Sequence, residues 1–155
     1  MVKFIIIFLL SLSLSGCNNS NRNSEIFFVI KENYEEYNLQ NCTYAVKRID
    51  KEDYIVKFYL TVGEKKEILN LYYQYNIDQI YNDYMVRDGC VEFPKNFTTI
   101  IIKDVTEKKI TIDYNCPKYK SSKDNEIKLF LNELYKILKN KKEIKNAPKA
   151  NYLSL

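Results

Sequence analysis

The chain has 155 residues, 46% hydrophobic and 28% charged, which is enough apolar material for one domain with a real core and too much for a disordered chain. Its formal charge of +4 is too small to argue for a nucleic-acid partner. It contains no histidine, which removes the Ser-His-Asp triad, the His-based zinc site and the commonest general base from the chemistry these residues can perform.

The first residues read as an export address. Lys3 precedes an apolar run from Phe4 to Leu14 and then small residues, the layout of a signal peptide and too short for a stable membrane span. The block Leu14-Ser15-Gly16-Cys17 resembles the lipobox of bacterial lipoproteins, and it lies where such a motif must lie, between an apolar run and a polar segment. The resemblance implies cleavage after residues 1–16, a diacylglyceryl group on the Cys17 sulfur, further acylation such as palmitate, and durable attachment to a membrane. Removal of Lys3 leaves a net charge of +3. Residues 17–24 are the lipidated cysteine and a flexible tether; residues 18–24 are free of apolar side chains and reach at most about 25 Å when extended. In lipoproteins of this kind an aspartate after the cysteine favours the inner membrane, and Asn18 stands here instead. The resemblance therefore implies the outer membrane, facing the periplasm, in a cell with two membranes, and otherwise the outer face of the cytoplasmic membrane.

Residues 25–155 read as a single domain. The β-branched and aromatic run at 26–30 predicts a strand, although Ile26, Phe27, Ile30, Tyr34 and Tyr37 also suit a helix. Strands follow at 43–49 and 54–60, where Tyr54, Val56, Phe58 and Leu60 share one face, joined by polar residues 50–53. Thr61 and Glu64 have capping-box spacing, and Ile68, Leu71, Tyr72 and Tyr75 recur at helical spacing, so a helix is predicted over 62–75. Asn76 suits the left-handed residue that closes it, and Ile77 and Ile80 return the chain to the core. Residues 82–96, with Asp88-Gly89 and Pro94, read as a loop. A hairpin is predicted from 97–103 and 109–114, where Ile110, Ile112 and Tyr114 alternate with polar residues. The last helix starts at Ser121 or Ser122 and carries Ile127, Phe130, Leu131, Leu134, Ile137 and Leu138 on one stripe, with lysines at its C-terminal end; the tail beyond 148 reads as extended.

The order βββ-α-ββ-α predicts an α+β fold, an antiparallel sheet of about five strands with two helices packed on one face. That order, together with the lipobox, the helix entered through Leu60-Thr61 and the closing segment Lys141-Lys142-Glu143-Ile144-Lys145-Asn146-Ala147-Pro148, resembles a group of small uncharacterised bacterial lipoproteins. The resemblance supports the fold and implies no catalytic residue.

Beyond Cys17 there are three cysteines, and export permits a disulfide. Cys90 with Cys116 is the expected pair, since Cys116 ends the last strand and Cys90 precedes its hairpin partner; Cys42 is the alternative partner. No Cys-x-x-Cys, calcium loop, glycine-rich phosphate loop or metal-ligand spacing occurs, so no cofactor or metal is expected. Five tyrosines fall between 72 and 84, more than one helix can turn inward, and Tyr73, Tyr81 and Tyr84 are the candidates for contact with a partner. These residues predict a membrane-anchored envelope lipoprotein with a non-enzymatic binding or accessory role and an envelope protein as partner. The alternative is a small hydrolase acting on envelope glycans through carboxylates drawn from Asp78, Asp83, Asp88, Glu92 and Asp113.

Overall fold

The computed structural model describes residues 26–49, 51–86, 97–104, 106–113 and 121–150. Among them β-branched and aromatic runs form β1 (Phe27–Lys31), β2 (Glu35–Asn38), β3 (Thr43–Val46), β4 (Tyr54–Lys57), β5 (Asp83–Val86), β6 (Phe97–Lys103) and β7 (Glu107–Asp113). The helices are α1 (Val62–Gln74), α2 (Ser122–Lys139) and the single turn α3 (Lys142–Lys145). A short 3-10 turn, Ile77–Gln79, follows α1.

The strands make one sheet in the order β4-β3-β2-β1-β6-β7-β5. Every pair is antiparallel except β5 with β7, which is parallel with Asp83 opposite Lys109 and Val86 opposite Ile112. The fold is thus α+β with helices on one face, but its sheet is mixed and has seven strands, not about five antiparallel ones. Two strands account for the difference. Glu35–Asn38 has one apolar residue, Tyr37, and is a strand because it lies between β1 and β3. Asp83–Val86, read from sequence as the start of a loop, is an edge strand whose partner β7 comes more than twenty residues later. Between α2 and the tail, Lys142–Lys145 makes one further helical turn that buries Ile144, and residues 151–155 lie outside the described residues.

One face of the sheet carries the core. Ile30, Ile100 and Ile110 line up in register across β1, β6 and β7, with Phe28 and Ile102 beside them, and all are buried. Each such side chain contributes about 1.5–3 kcal/mol relative to exposure, which makes this row the main reason the strands pair in this register. Helix α2 covers it with Ile127, Phe130, Leu131, Leu134 and Leu138, the stripe predicted by the i, i+3, i+4 pattern, and α1 adds Ile68 and Tyr72. Phe28 touches both helices, its ring 5.8 Å from Tyr72 and 5.7 Å from Phe130. Both long helices open with a capping box, Thr61 with Glu64 and Ser121 with Asp124. Asn76, at φ 52°, takes the left-handed conformation expected after α1.

The strand directions fix where α1 runs. The end of the sheet at which β1 begins is called the near end; β4 finishes there and β5 starts there, because β3 and β7 run alongside β1. Helix α1 therefore connects the two edges of a sheet about 29 Å wide while staying at the near end, and its 13 residues supply about 20 Å of that span. Helix α2 returns antiparallel beside it on the far side. Lys141 pairs with Glu64 at one end of the helix pair, the Lys123 ammonium donates to the Asn76 carbonyl at the other, and the Tyr135 hydroxyl reaches Glu32, just past the far end of β1.

Candidate interaction surface

Spacing on α1 separates its sides. Ile68 and Tyr72 face the sheet, whereas Glu64, Leu71 and Tyr75 turn toward α2 and the core. Val62, Leu69 and Tyr73 repeat the same seven-and-four spacing two residues earlier, a rotation of about 200° that places them opposite α2. All three are exposed, Val62 by 80% and Tyr73 by 54%, and Lys65 and Lys66 flank them. The links on either side of the helix add two more aromatic rings. Tyr59, between β4 and α1, is exposed, and Tyr81, just before β5, is 83% exposed, the most of the large hydrophobic side chains among the described residues. Tyr59, Val62, Leu69, Tyr73 and Tyr81 thus belong to the near end of the domain. The tyrosine-rich sequence pointed to Tyr73 and Tyr81. It did not reveal Tyr59, Val62 or Leu69, for which the two-residue offset between the two seven-and-four patterns is the available signal.

Tyr84 is placed differently. It is half-buried, and its hydroxyl donates to Asp124 Oδ1 at 2.9 Å, while Asp124 Oδ2 accepts from the Ser121 N–H at 3.1 Å. Burial pushes the Tyr84 phenol up; the hydrogen bond with Ser121 opposes it and the one to Asp124 adds to it.

The other polar clusters of the helix-covered face are built around phenols held neutral. The Tyr37 hydroxyl donates to Glu35 Oε2 at 2.8 Å, its ring lies 4.7 Å from that of Tyr44, and Lys139 Nζ sits 4.4 Å over the Tyr135 ring. Burial first, and Glu35 next, raise the phenols of Tyr37 and Tyr44. Tyr72 is pushed up to about 12 by burial and then by the Asp104 and Asp78 carboxylates. Its hydroxyl and Asp104 Oδ1 are buried atoms with no hydrogen-bond partner among the described residues. These shifts oppose what a tyrosine nucleophile or base needs.

Of the acidic set, Asp88 and Glu92 lie outside the described residues, as do Cys17, Cys90 and Cys116. Asp83 and Asp113 lie on the sheet face away from the helices and are separated by four register positions, about 13 Å along β7. Asp78 sits in the 3-10 turn, its carbonyl accepting from the Lys108 ammonium. Among the described residues no three acidic or sulfur side chains are grouped as metal ligands, and no helix is long and apolar enough to cross a membrane. Cys42 is a free thiol in the left-handed conformation, at φ 50°, its Sγ directed at the Leu39 carbonyl at 3.6 Å. Comparison with family models, with curated proteins and with solved structures returns no match.

Proposed function

We propose that this chain is a membrane-anchored cell-envelope lipoprotein that acts as a non-enzymatic binding or accessory module. The observation that carries the reading is the Leu14-Ser15-Gly16-Cys17 motif at the end of an apolar run and ahead of a polar tether. The lipid on Cys17 holds the domain at the outer membrane facing the periplasm, or on the outer face of the cytoplasmic membrane where there is only one. Tyr73 and Tyr81, large rigid rings left in solvent, are its contact residues.

One feature supports a binding role over the hydrolase. Asp83 and Asp113 stand four register positions apart, about 13 Å along the sheet, whereas paired glycosidase acids lie roughly 5–9.5 Å apart. The test is in-cell cross-linking and affinity capture with a Cys17→Ala control, alongside metabolic labelling with an alkyne fatty acid. Label on the parent and none on the variant, with an envelope protein captured only by the parent, is the expected result. An unlabelled parent that fractionates with soluble proteins would overturn the reading.

A further inference from the structure

The order of the strands determines which end of the domain the anchor holds. Strand β1 is the fourth of seven, and it begins at the near end, so the chain that leads from Cys17 enters at the middle of that end. The tether of residues 18–24 spans at most about 25 Å. It keeps the near end within about one domain width of the lipid headgroups, and the near end is also where the exposed flank of α1 lies. Val62, Leu69 and Tyr73 look out on the side opposite α2, and Tyr59 and Tyr81 stand at the two ends of the helix.

We propose that this flank rests in the headgroup layer of the bilayer that holds Cys17, so that the domain is docked on the membrane by its near end and does not merely hang from it. The inference depends on the lipoprotein reading and names what Tyr73 and Tyr81 touch. Aliphatic side chains beside tyrosines, with an apolar ring and a polar tip, fit the boundary between acyl chains and water. Lys65 and Lys66 can extend their stems along the same surface while their ammonium groups stay in water. The end is not a basic patch, since Asp78, Asp83 and Glu107 lie there with the lysines. The contact is therefore apolar and aromatic in origin and survives high salt, unlike a polybasic attachment. The far end is left to meet a protein partner.

The chain contains no tryptophan, so a single introduced indole reports on its own position. The experiment uses the lipidated full-length protein reconstituted into vesicles of phosphatidylethanolamine with a minority of phosphatidylglycerol, carrying brominated phospholipids as quenchers. Tyr73→Trp and Tyr81→Trp report on the near end, and Ile49→Trp, beyond the far end of β3, is the control. The proposal expects quenching at 73 and 81, little at 49, no loss of quenching in high salt, and loss of quenching at Tyr81→Trp when Leu69→Glu and Tyr73→Glu are added. Lipidated protein that floats with the vesicles but shows no quenching at 73 and 81, or equal quenching at 49, overturns the docking and leaves the lipoprotein reading intact. Protein that carries no lipid and fails to float overturns both.

Discussion

The Tyr84 hydroxyl donates to Asp124 Oδ1 at 2.9 Å, joining the edge strand β5 to the first turn of α2 across forty residues of chain. Asp124 is buried and serves two roles, partner to the phenol and capping-box residue of α2. Asp124→Ala is expected to cost about 1 kcal/mol for the cap and up to about 1 kcal/mol more for the lost bond to the half-buried Tyr84 hydroxyl. Tyr84→Phe alone leaves the cap in place and costs less. Chemical denaturation of both single variants and the double variant checks this. The two changes should be non-additive, because each removes the same Tyr84–Asp124 bond.

Tyr72 should behave in the opposite way. Its hydroxyl is buried with no partner among the described residues, near an Asp104 oxygen in the same state. Tyr72→Phe keeps the ring against Phe28 and removes an uncompensated polar group, so it is expected to stabilise the fold by about 1 kcal/mol. A lower thermal midpoint for this variant would show that the hydroxyl has a stabilising partner.

The Glu64–Lys141 pair predicts an acid limb. The hydrogen bond from Lys141 holds the Glu64 carboxyl below the usual carboxylate range, with partial burial opposing and the Thr61 N–H adding to the effect. Its stabilisation is present above the unfolded value, about 4.3, and is lost as pH falls through the folded value. Glu64→Gln should therefore be less stable than the parent at neutral pH, by up to about 1 kcal/mol, and equally stable in strong acid. Urea midpoints measured across this range test it.

Tyr37 and Tyr44 predict an alkaline limb. Both phenols are raised in the folded state, mainly by burial and then by Glu35. Their contribution is complete below the ordinary tyrosine value of about 10 and falls as pH rises above it, when the unfolded chain ionises first. The double variant Tyr37→Phe with Tyr44→Phe should lose part of this limb in thermal melts above pH 10. At neutral pH it should cost about 1 kcal/mol through loss of the 2.8 Å bond to Glu35.

The elements legible in the sequence are those whose signal is local. Alternation of apolar and polar residues marks β7, the two capping boxes mark the helix starts, and the stripe from Ile127 to Leu138 marks the buried side of α2. Strands β2 and β5 were not legible because pairing makes them strands: Glu35–Asn38 has a single apolar residue, and Asp83–Val86 depends on a parallel partner more than twenty residues away. The contact surface divides in the same way. A cluster of tyrosines singled out Tyr73 and Tyr81, but which phenol becomes buried depends on Asp124, forty residues from Tyr84. The exposure of Val62 and Leu69 depends on which side of α1 receives α2, so their two-residue offset from Glu64 and Leu71 becomes a signal only once that side is known.

The central position of β1 also governs timing. When the chain is made or threaded from its N-terminal end, β1 meets β2 at once, but Ile30 lies opposite Ile100, seventy residues downstream. Until β6 arrives, the middle strand of the future sheet is an open edge with Phe28 and Ile30 uncovered, the condition under which unfinished strands join other chains. A chain interrupted before residue 97 is therefore a sheet cut through its centre, and only the C-terminal half closes it.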